Sequence, residues 1–303
     1  MALLYLSVPE RGAVWAQMLA RAGVEMVMGE AAVTDPAAIT HIACWQPPED
    51  LARYPNLRAV ISVGAGVDQM PPMPEGVILS RTIAPGIEQM VRDWVVMAVL
   101  ALHRDLPLYI AQAREGCWQL HAPRSAHEAR VGIMGMGRIG QLVAQTLGAL
   151  GFEVAGWSRS GQSTAECAVY DQAGLPEFLA RSDILVCLLP LTGQTRGLMD
   201  AAFLAQLPQG ARLVQAGRGP QLDLEALRTA LDSGRIAAAM LDVTDPEPLP
   251  ADHWAWADPR VLITPHIAAK TGHEEGARHV LAVIEATTNG TPVPGQVDQA
   301  KGY

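Results

Sequence analysis

Charged residues make up only 17% of this 303-residue chain, and no dense run of lysine and arginine occurs anywhere in it. With 22 basic against 31 acidic residues the formal charge is −9. That argues against nucleic acid or an anionic membrane surface as the main partner. An anionic metabolite stays open, because one buried arginine is enough to hold a carboxylate. Cysteine is scarce and scattered. Cys44, Cys117, Cys167 and Cys187 form no CxxC pair, so neither a zinc site nor a disulfide framework is indicated. They read as small buried hydrophobes in a reducing compartment.

No stretch reaches the ~20 apolar residues of a bilayer span, since Arg, Asp, His or Pro interrupts every candidate. The opening Met-Ala-Leu-Leu-Tyr-Leu-Ser-Val-Pro lacks a basic region, and its apolar run is too short for a signal peptide; it reads as a β-strand. Neither a repeat of solenoid period nor a low-complexity tract is visible. No histidine pair shows metal-ligand spacing, so no metal is implied. The expectation is a soluble, cytoplasmic protein with no membrane partner.

Half of the chain is hydrophobic, enough to bury the cores of two ordinary domains. Short apolar strands alternate with helical patterns nearly throughout, the mark of parallel α/β architecture. In the first hundred residues Leu3–Val8, Met26–Met28, Ile39–Cys44, Ala59–Val63 and Val77–Leu79 read as strands, with helix-like pieces at Trp15–Ala22 and Pro48–Arg53. A long apolar helix is expected over Gly86–Leu106, ended by Pro107. A second series follows, with strands at Val131–Met134, Glu153–Trp157, Ile184–Leu188, Ala211–Gln215, Ala237–Leu241 and Val261–Thr264. Its helices are expected at Ile139–Leu150, Leu175–Ala180, Ala201–Gln206 and Asp223–Ser233, with a last one over Glu274–Thr288.

Gly135-Met136-Gly137-Arg138-Ile139-Gly140 follows a strand and opens a helix, the context a dinucleotide fingerprint requires. In that reading the first glycine makes the tight turn and the second lets backbone approach a pyrophosphate. The third lets helix and strand pack, and the helix N-terminus offers N–H groups to the anion. A site built for NAD usually carries Asp or Glu at the end of the next strand, for the ribose hydroxyls. Here the turn reads Gly156-Trp157-Ser158-Arg159-Ser160, with no acid. Arg159 between two hydroxyls suits a 2′-phosphate, which puts NADPH ahead of NAD; a solvated loop charge is the alternative.

Three later segments each place a polar residue where a strand ends, and ligands of open α/β sheets gather at the carboxyl ends of strands. Arg218 follows Ala211–Gln215, Glu247 lies beyond Ala237–Leu241 in Asp242-Val-Thr-Asp-Pro-Glu-Pro, and His266 follows Val261–Thr264. Taken singly, each could be a surface ion-pair or turn residue. Together with the glycine turn they form a much narrower coincidence.

On these residues the sequence resembles the D-isomer-specific 2-hydroxyacid dehydrogenase family, and within it the glyoxylate/hydroxypyruvate reductase branch. The resemblance covers essentially the whole chain. It includes Ser62-Val-Gly64-Ala-Gly66-Val-Asp68 and the closing Gly295-Gln-Val-Asp-Gln-Ala-Lys-Gly-Tyr303. One departure is Gln215, where many relatives have Asn; the amide is kept on a longer reach.

The resemblance implies two Rossmann/flavodoxin-like α/β domains with parallel sheets, the cofactor domain (100–270) inserted in a substrate domain (1–99 and 271–303). It implies a homodimer built through the cofactor domain, with Leu106 to Ser125 as an arm. The implied activity is reduction of small 2-keto acids, glyoxylate and hydroxypyruvate, to glycolate and D-glycerate with NADPH or NADH. His266 would donate the proton, since histidine titrates near working pH, and Glu247 would orient it. Arg218 would hold carboxylate and carbonyl in its planar fork.

Backbone N–H groups of Val63, Gly64, Ala65 and Gly66 would anchor the substrate carboxylate, with Trp45 lining its pocket. On the cofactor side the resemblance places Leu189, Pro190, Thr195, Gln215, Ala216, Gly217 and Asp242 beside the glycine turn, Asp242 accepting from the nicotinamide carboxamide. Two other readings are a sibling NAD-dependent dehydrogenase of another substrate and a non-enzymatic nucleotide-sensing scaffold. Arg159 and the closing segment favour the reductase.

Overall fold

The computed structural model describes Met1–Gln299; Ala300 to Tyr303, the last residues of the closing segment, lie outside the described residues. The chain divides into two compact units, one of Met1–Ile87 with the segment from Lys270 onward, the other of Glu88–Ala269. The first boundary lies at the start of a long helix instead of near Leu100. That helix buries Trp94, Val95, Ala98, Val99 and Leu102 in the core of the larger unit, so it belongs there almost from its first turn.

The smaller unit is built from β1 (Ala2–Leu6), α1 (Pro9–Arg21), β2 (Glu25–Met28), β3 (Ile39–Cys44), β4 (Ala59–Ser62) and β5 (Ile78–Arg81). Its five strands are all parallel, in the order β2-β1-β3-β4-β5. β3 and β4 are buried along their whole length, as strands covered on both faces must be. The helix-like Pro48–Arg53 is a single 3-10 turn, Leu51–Arg53.

The larger unit opens with α2 (Pro85–His103) and α3 (Leu106–Arg114). The sequence reading ends a helix at Pro107; the structure ends α2 four residues earlier and seats Pro107 in the first turn of α3. A missing N–H is no loss there, so the proline opens a helix instead of closing one. No single helix among the described residues is long and apolar enough to cross a membrane.

After α3 come β6 (Arg130–Met134), α4 (Arg138–Ala149), β7 (Glu153–Trp157), β8 (Val169–Tyr170), α5 (Leu175–Ala180), β9 (Ile184–Cys187) and α6 (Ala201–Leu204). β10 (Ala211–Gln215), α7 (Leu224–Asp232), β11 (Ile236–Leu241) and β12 (Val261–Ile263) complete the unit. The strands form one parallel sheet in the order β12-β11-β10-β9-β6-β7-β8. Order reverses between β6 and β9, and that switch point is where open α/β sheets take ligands. The two-residue β8 is too short to register as a periodic signal in the sequence.

α8 (His273–Asn289) returns to the smaller unit. Ala277, Val280, Val283 and Ile284 form its buried stripe, sharing a core with Leu3, Trp15, Leu19 and Ile61. Trp15 donates from its indole to the His273 carbonyl at 2.7 Å. The chain then runs back along β5: Arg81 N–H donates to Gly295 O and Val297 N–H to Leu79 O, both at 2.9 Å.

Candidate active site

At the end of β6 the backbone turns sharply at Gly135, whose φ of +102° an L side chain rarely adopts. Its N–H donates to Trp157 O at 2.9 Å, tying the turn to β7. A Cβ on Gly140 would lie 2.0 Å from Gly135 O, so α4 can rest on this turn only with hydrogen at that position. A Cβ on Gly137, the N-cap of α4, would meet nothing within 4 Å. The first helical bond runs from Gln141 N–H to Gly137 O, which leaves the N–H groups of Arg138, Ile139 and Gly140 at the open end of the helix. An open N-cap above unpaired donors fits a pyrophosphate. The guanidinium of Arg138 is held by Glu88 at 2.7 Å, so its part in such a site is its backbone.

β7 ends in Ser158, exposed Arg159 and Ser160, with the two hydroxyls 3.4 Å apart. The turn is closed by Gly161 N–H donating to Ser158 Oγ at 3.2 Å. With no carboxylate in it, nothing in this turn repels a 2′-phosphate. Beyond β9, Leu189 and Pro190 face the same sheet end, and Thr195 closes their loop by donating to Pro190 O at 2.7 Å.

β11 and β12 end side by side and carry a connected group. His266 Nδ1 lies 2.9 Å from Glu247 Oε2, and Thr244 N–H donates to the other Glu247 oxygen at 3.1 Å. A carboxylate at Nδ1 keeps the proton on that nitrogen and turns Nε2 outward. Nε2 makes no hydrogen bond among the described residues. Both side chains are about 40% exposed, so the pair orients the ring and adds little to stability.

His266 has φ +52°, in the left-handed region a side chain occupies at a cost. Asp242 holds it there. Its backbone oxygen accepts from His266 N–H at 2.8 Å. Its carboxylate, 2% exposed, accepts from Thr264 Oγ1 at 2.6 Å, Ile267 N–H at 2.9 Å and Ala268 N–H at 2.8 Å.

The loop after β10 is wired by two fully buried amides. Gln215 donates from Nε2 to Arg218 O at 2.9 Å and accepts from Gly217 N–H at 3.4 Å. Gln221 accepts from Arg218 N–H at 2.8 Å and donates to Leu189 O and Pro190 O, both at 3.0 Å. Gln215, the last residue of β10, thus has its side chain buried as a brace of this loop. Gln221, which sequence reasoning missed, ties the Arg218 loop to the loop after β9. Nothing in Gly-Pro-Gln marks that glutamine as buried. Arg218 is half-buried, with Nη1 donating to Gly217 O at 2.7 Å.

In the smaller unit the glycine loop leaves β4, and Trp45 leaves β3 beside it. The Trp45 ring lies 3.1 Å from where a Cβ on Gly64 would sit, so the half-exposed indole covers that glycine. Four N–H groups were expected to be available here, and the structure corrects this to two. Val63 N–H extends the ladder to Cys44 O at 3.1 Å, and Gly64 N–H donates to Ser62 Oγ at 3.3 Å. Ala65 and Gly66 N–H make no hydrogen bond among the described residues. The cysteines also divide: Cys44 and Cys187 are buried, with thiols pushed up to about 12 by burial, while Cys117 is exposed and Cys167 half-buried.

Strand order, glycine turn and strand-end loops define a Rossmann-type dinucleotide-binding protein. The family model for the D-isomer specific 2-hydroxyacid dehydrogenase, NAD binding domain, matches residues 96–268. The glyoxylate/hydroxypyruvate reductase A of Salmonella newport (strain SL254) is 36% identical over 298 residues, covering 95% of this chain and 96% of that protein. A D-isomer specific 2-hydroxyacid dehydrogenase from Xanthobacter autotrophicus Py2, solved with NADPH and MES, superposes with a TM-score of 0.94 at 39% identity, over 100% of this chain and 99% of that one. The NADPH-dependent glyoxylate/hydroxypyruvate reductase of Sinorhizobium meliloti, solved with NADP and sulfate, gives 0.91 at 35% identity, over 100% and 99%. The chain belongs to the D-isomer specific 2-hydroxyacid dehydrogenase family.

Proposed function

We propose that this protein is an NADPH-dependent reductase of small 2-keto acids, converting glyoxylate to glycolate and hydroxypyruvate to D-glycerate. The observation that carries the reading is the 2.9 Å His266–Glu247 pair at the strand ends of the cofactor unit, with Nε2 left outward. The relatives named for these substrates, and those solved with NADP or NADPH, support it.

The backbone of Gly135–Gly140 would hold the pyrophosphate and Ser158, Arg159 and Ser160 the 2′-phosphate; Asp242 Oδ2, with one donor already, keeps a lone pair for the carboxamide. When bound, the reduced nicotinamide supplies hydride to the carbonyl carbon. Arg218 holds the substrate carboxylate and carbonyl oxygen, stabilising the charge that grows on that oxygen. His266 passes the Nε2 proton to it and is reprotonated from solvent, while Glu247 fixes the ring through Nδ1. In the smaller unit, Ala65 and Gly66 N–H would offer donors to a carboxylate, with the Trp45 ring beside them.

The test is initial-rate oxidation of NADPH and NADH with glyoxylate, hydroxypyruvate and pyruvate. Fast NADPH oxidation with either of the first two is expected. Activity with NADH alone moves the assignment to a sibling dehydrogenase; none with any of the three, to a nucleotide-binding scaffold.

The assembly proposed is a homodimer through the larger unit, acting in the cytoplasm, where the NADPH pool is kept reduced. An open groove of about 590 Å³ runs along α2 and α3, lined by Val96, Met97, Leu100, Ala101 and Leu106. Past α3, Trp118 is fully exposed and Leu120 nearly so. Exposed apolar side chains of that size and an apolar groove on the same unit suit a second copy of the chain. Light scattering should give twice the chain mass of 32.3 kDa; a monomeric mass removes the dimer.

A further inference from the structure

We propose that Thr264 and Trp94 are positioning residues for His266, acting through the Asp242 carboxylate; this rests on the reading of His266 as proton donor. His266 follows only three residues after β12 and keeps φ +52°, so the direction of its ring depends on what fixes the backbone on either side. Asp242 supplies most of that fixing, taking the N–H of His266 on its own carbonyl, shared with Thr264 O at 3.0 Å, and the N–H groups of Ile267 and Ala268 on its carboxylate.

The carboxylate must itself be held against rotation, and the remaining donor is Thr264 Oγ1 at 2.6 Å, the shortest bond of the group. A hydroxyl has one proton. With that proton on Asp242, Thr264 Oγ1 can only accept from its other neighbour, and Trp94 Nε1–H donates to it at 3.1 Å. Donation therefore runs one way, from indole to hydroxyl to carboxylate, each bond polarising the next.

Trp94 sits in the middle of α2 among core residues and is 6% exposed. The chain of bonds thus begins on a core side chain of α2 and ends on the loop that presents the imidazole. Removing the hydroxyl leaves the carboxylate held only by the backbone N–H groups of Ile267 and Ala268, the segment it is meant to fix, so residues 266–268 can shift with it and Nδ1 swings away from Glu247.

The experiment compares Thr264→Val, Thr264→Ser and Trp94→Phe with the parent in kcat, KM for the keto acid, Kd for NADPH and Tm. Thr264→Val, close in shape but without the hydroxyl, should lose roughly tenfold or more in kcat, with Kd for NADPH within about twofold of the parent. Thr264→Ser should return most of that loss. Trp94→Phe, losing only the far end of the chain of bonds, should lose about threefold. Should Thr264→Val fail to fold, Trp94→Phe carries the test alone. A lowered Tm with kcat unchanged, or a Thr264→Ser variant as slow as the valine, overturns the proposal. His266→Ala run alongside separates the two ideas. If it retains turnover, the proton-donor reading fails and takes this one with it. If it is inactive while Thr264→Val and Trp94→Phe turn over like the parent, only the positioning role fails.

Discussion

The two units share a plan, a parallel sheet wound with helices, yet they place their buried polar groups differently. In the smaller unit such groups also lie within the sheet and beneath α8. His41 on β3 bridges Thr40 Oγ1 at 2.9 Å and Thr287 Oγ1 at 2.8 Å, and His279 on α8 reaches Ser80 Oγ at 3.1 Å. Ser80 donates to Pro294 O, so its hydroxyl accepts from the His279 Nε2–H, and the ring is satisfied as the neutral form. In the larger unit buried Gln215, Gln221 and Asp242, joined by half-buried Thr264, gather at the carboxyl ends of β10, β11 and β12, bracing loops that carry exposed side chains. One set fastens a helix to a sheet; the other holds reactive groups out of one.

That contrast can be broken or sharpened by measurement. The largest effect expected is from His266→Ala, which should lower turnover by about 10²–10⁴-fold with Tm and NADPH binding near the parent. A variant losing stability along with activity would mean that the loop is also scaffold. Next, Leu102→Ala, truncating a fully buried side chain of α2, should cost ~2–5 kcal/mol in denaturant unfolding. A loss below about 1 kcal/mol would put the core of the larger unit elsewhere.

Acid should separate the units. Burial lowers His41 and His279 to about 4, with the Arg58 charge adding to His41; an unfolded histidine titrates at about 6.5. The folded values lie below the unfolded one, so the unfolded chain binds more protons between them. The stability they contribute is whole above about pH 6.5 and falls as pH drops toward 4. The larger unit has a milder case in His103, also lowered by burial. Its Asp183 stays below the usual range: burial opposes this, but Arg130 holds the carboxylate by hydrogen bonds and charge. That contribution is lost only at pH values below the ordinary carboxylate range. Hydrogen exchange from pH 7 to 4.5 should therefore show β3 and α8 losing protection before β6 and β9. Simultaneous loss would refute the difference. The smallest effect is expected from Arg159→Ala, which should raise KM for NADPH about tenfold and leave that for NADH unchanged; equal changes would remove Arg159 from the 2′-phosphate.

Most of the fold was legible because strands buried on both faces are short apolar runs bounded by turns. The same patterns put Arg218, Glu247 and His266 at strand ends. What was not legible depended on geometry that spacing does not encode. Val63 and Gly64 look like free donors in a glycine-rich turn, but the ladder to β3 and the Ser62 hydroxyl already hold them. Gln215 shows its amide in the sequence, but not its burial as a brace of the loop after β10. Gln221 and Thr264 have no composition signal, since their importance lies in which neighbour receives each proton. Pro107 was read as a stop and is a start, a choice that depends on where the preceding helix frays.

The return of α8 and of the 293–297 segment to the smaller unit has a consequence for synthesis on the ribosome. The larger unit is one continuous stretch, Glu88–Ala269, and can close as soon as it has emerged. The smaller unit starts upstream of it at β1 but lacks its covering helix and the backbone partner of β5 until residues 273–297 have emerged. Translation reverses the usual N-terminal-first order, and a nascent chain stalled before Lys270 would expose Trp15, Leu19 and Val283's empty seat to whatever chaperone waits at the exit tunnel.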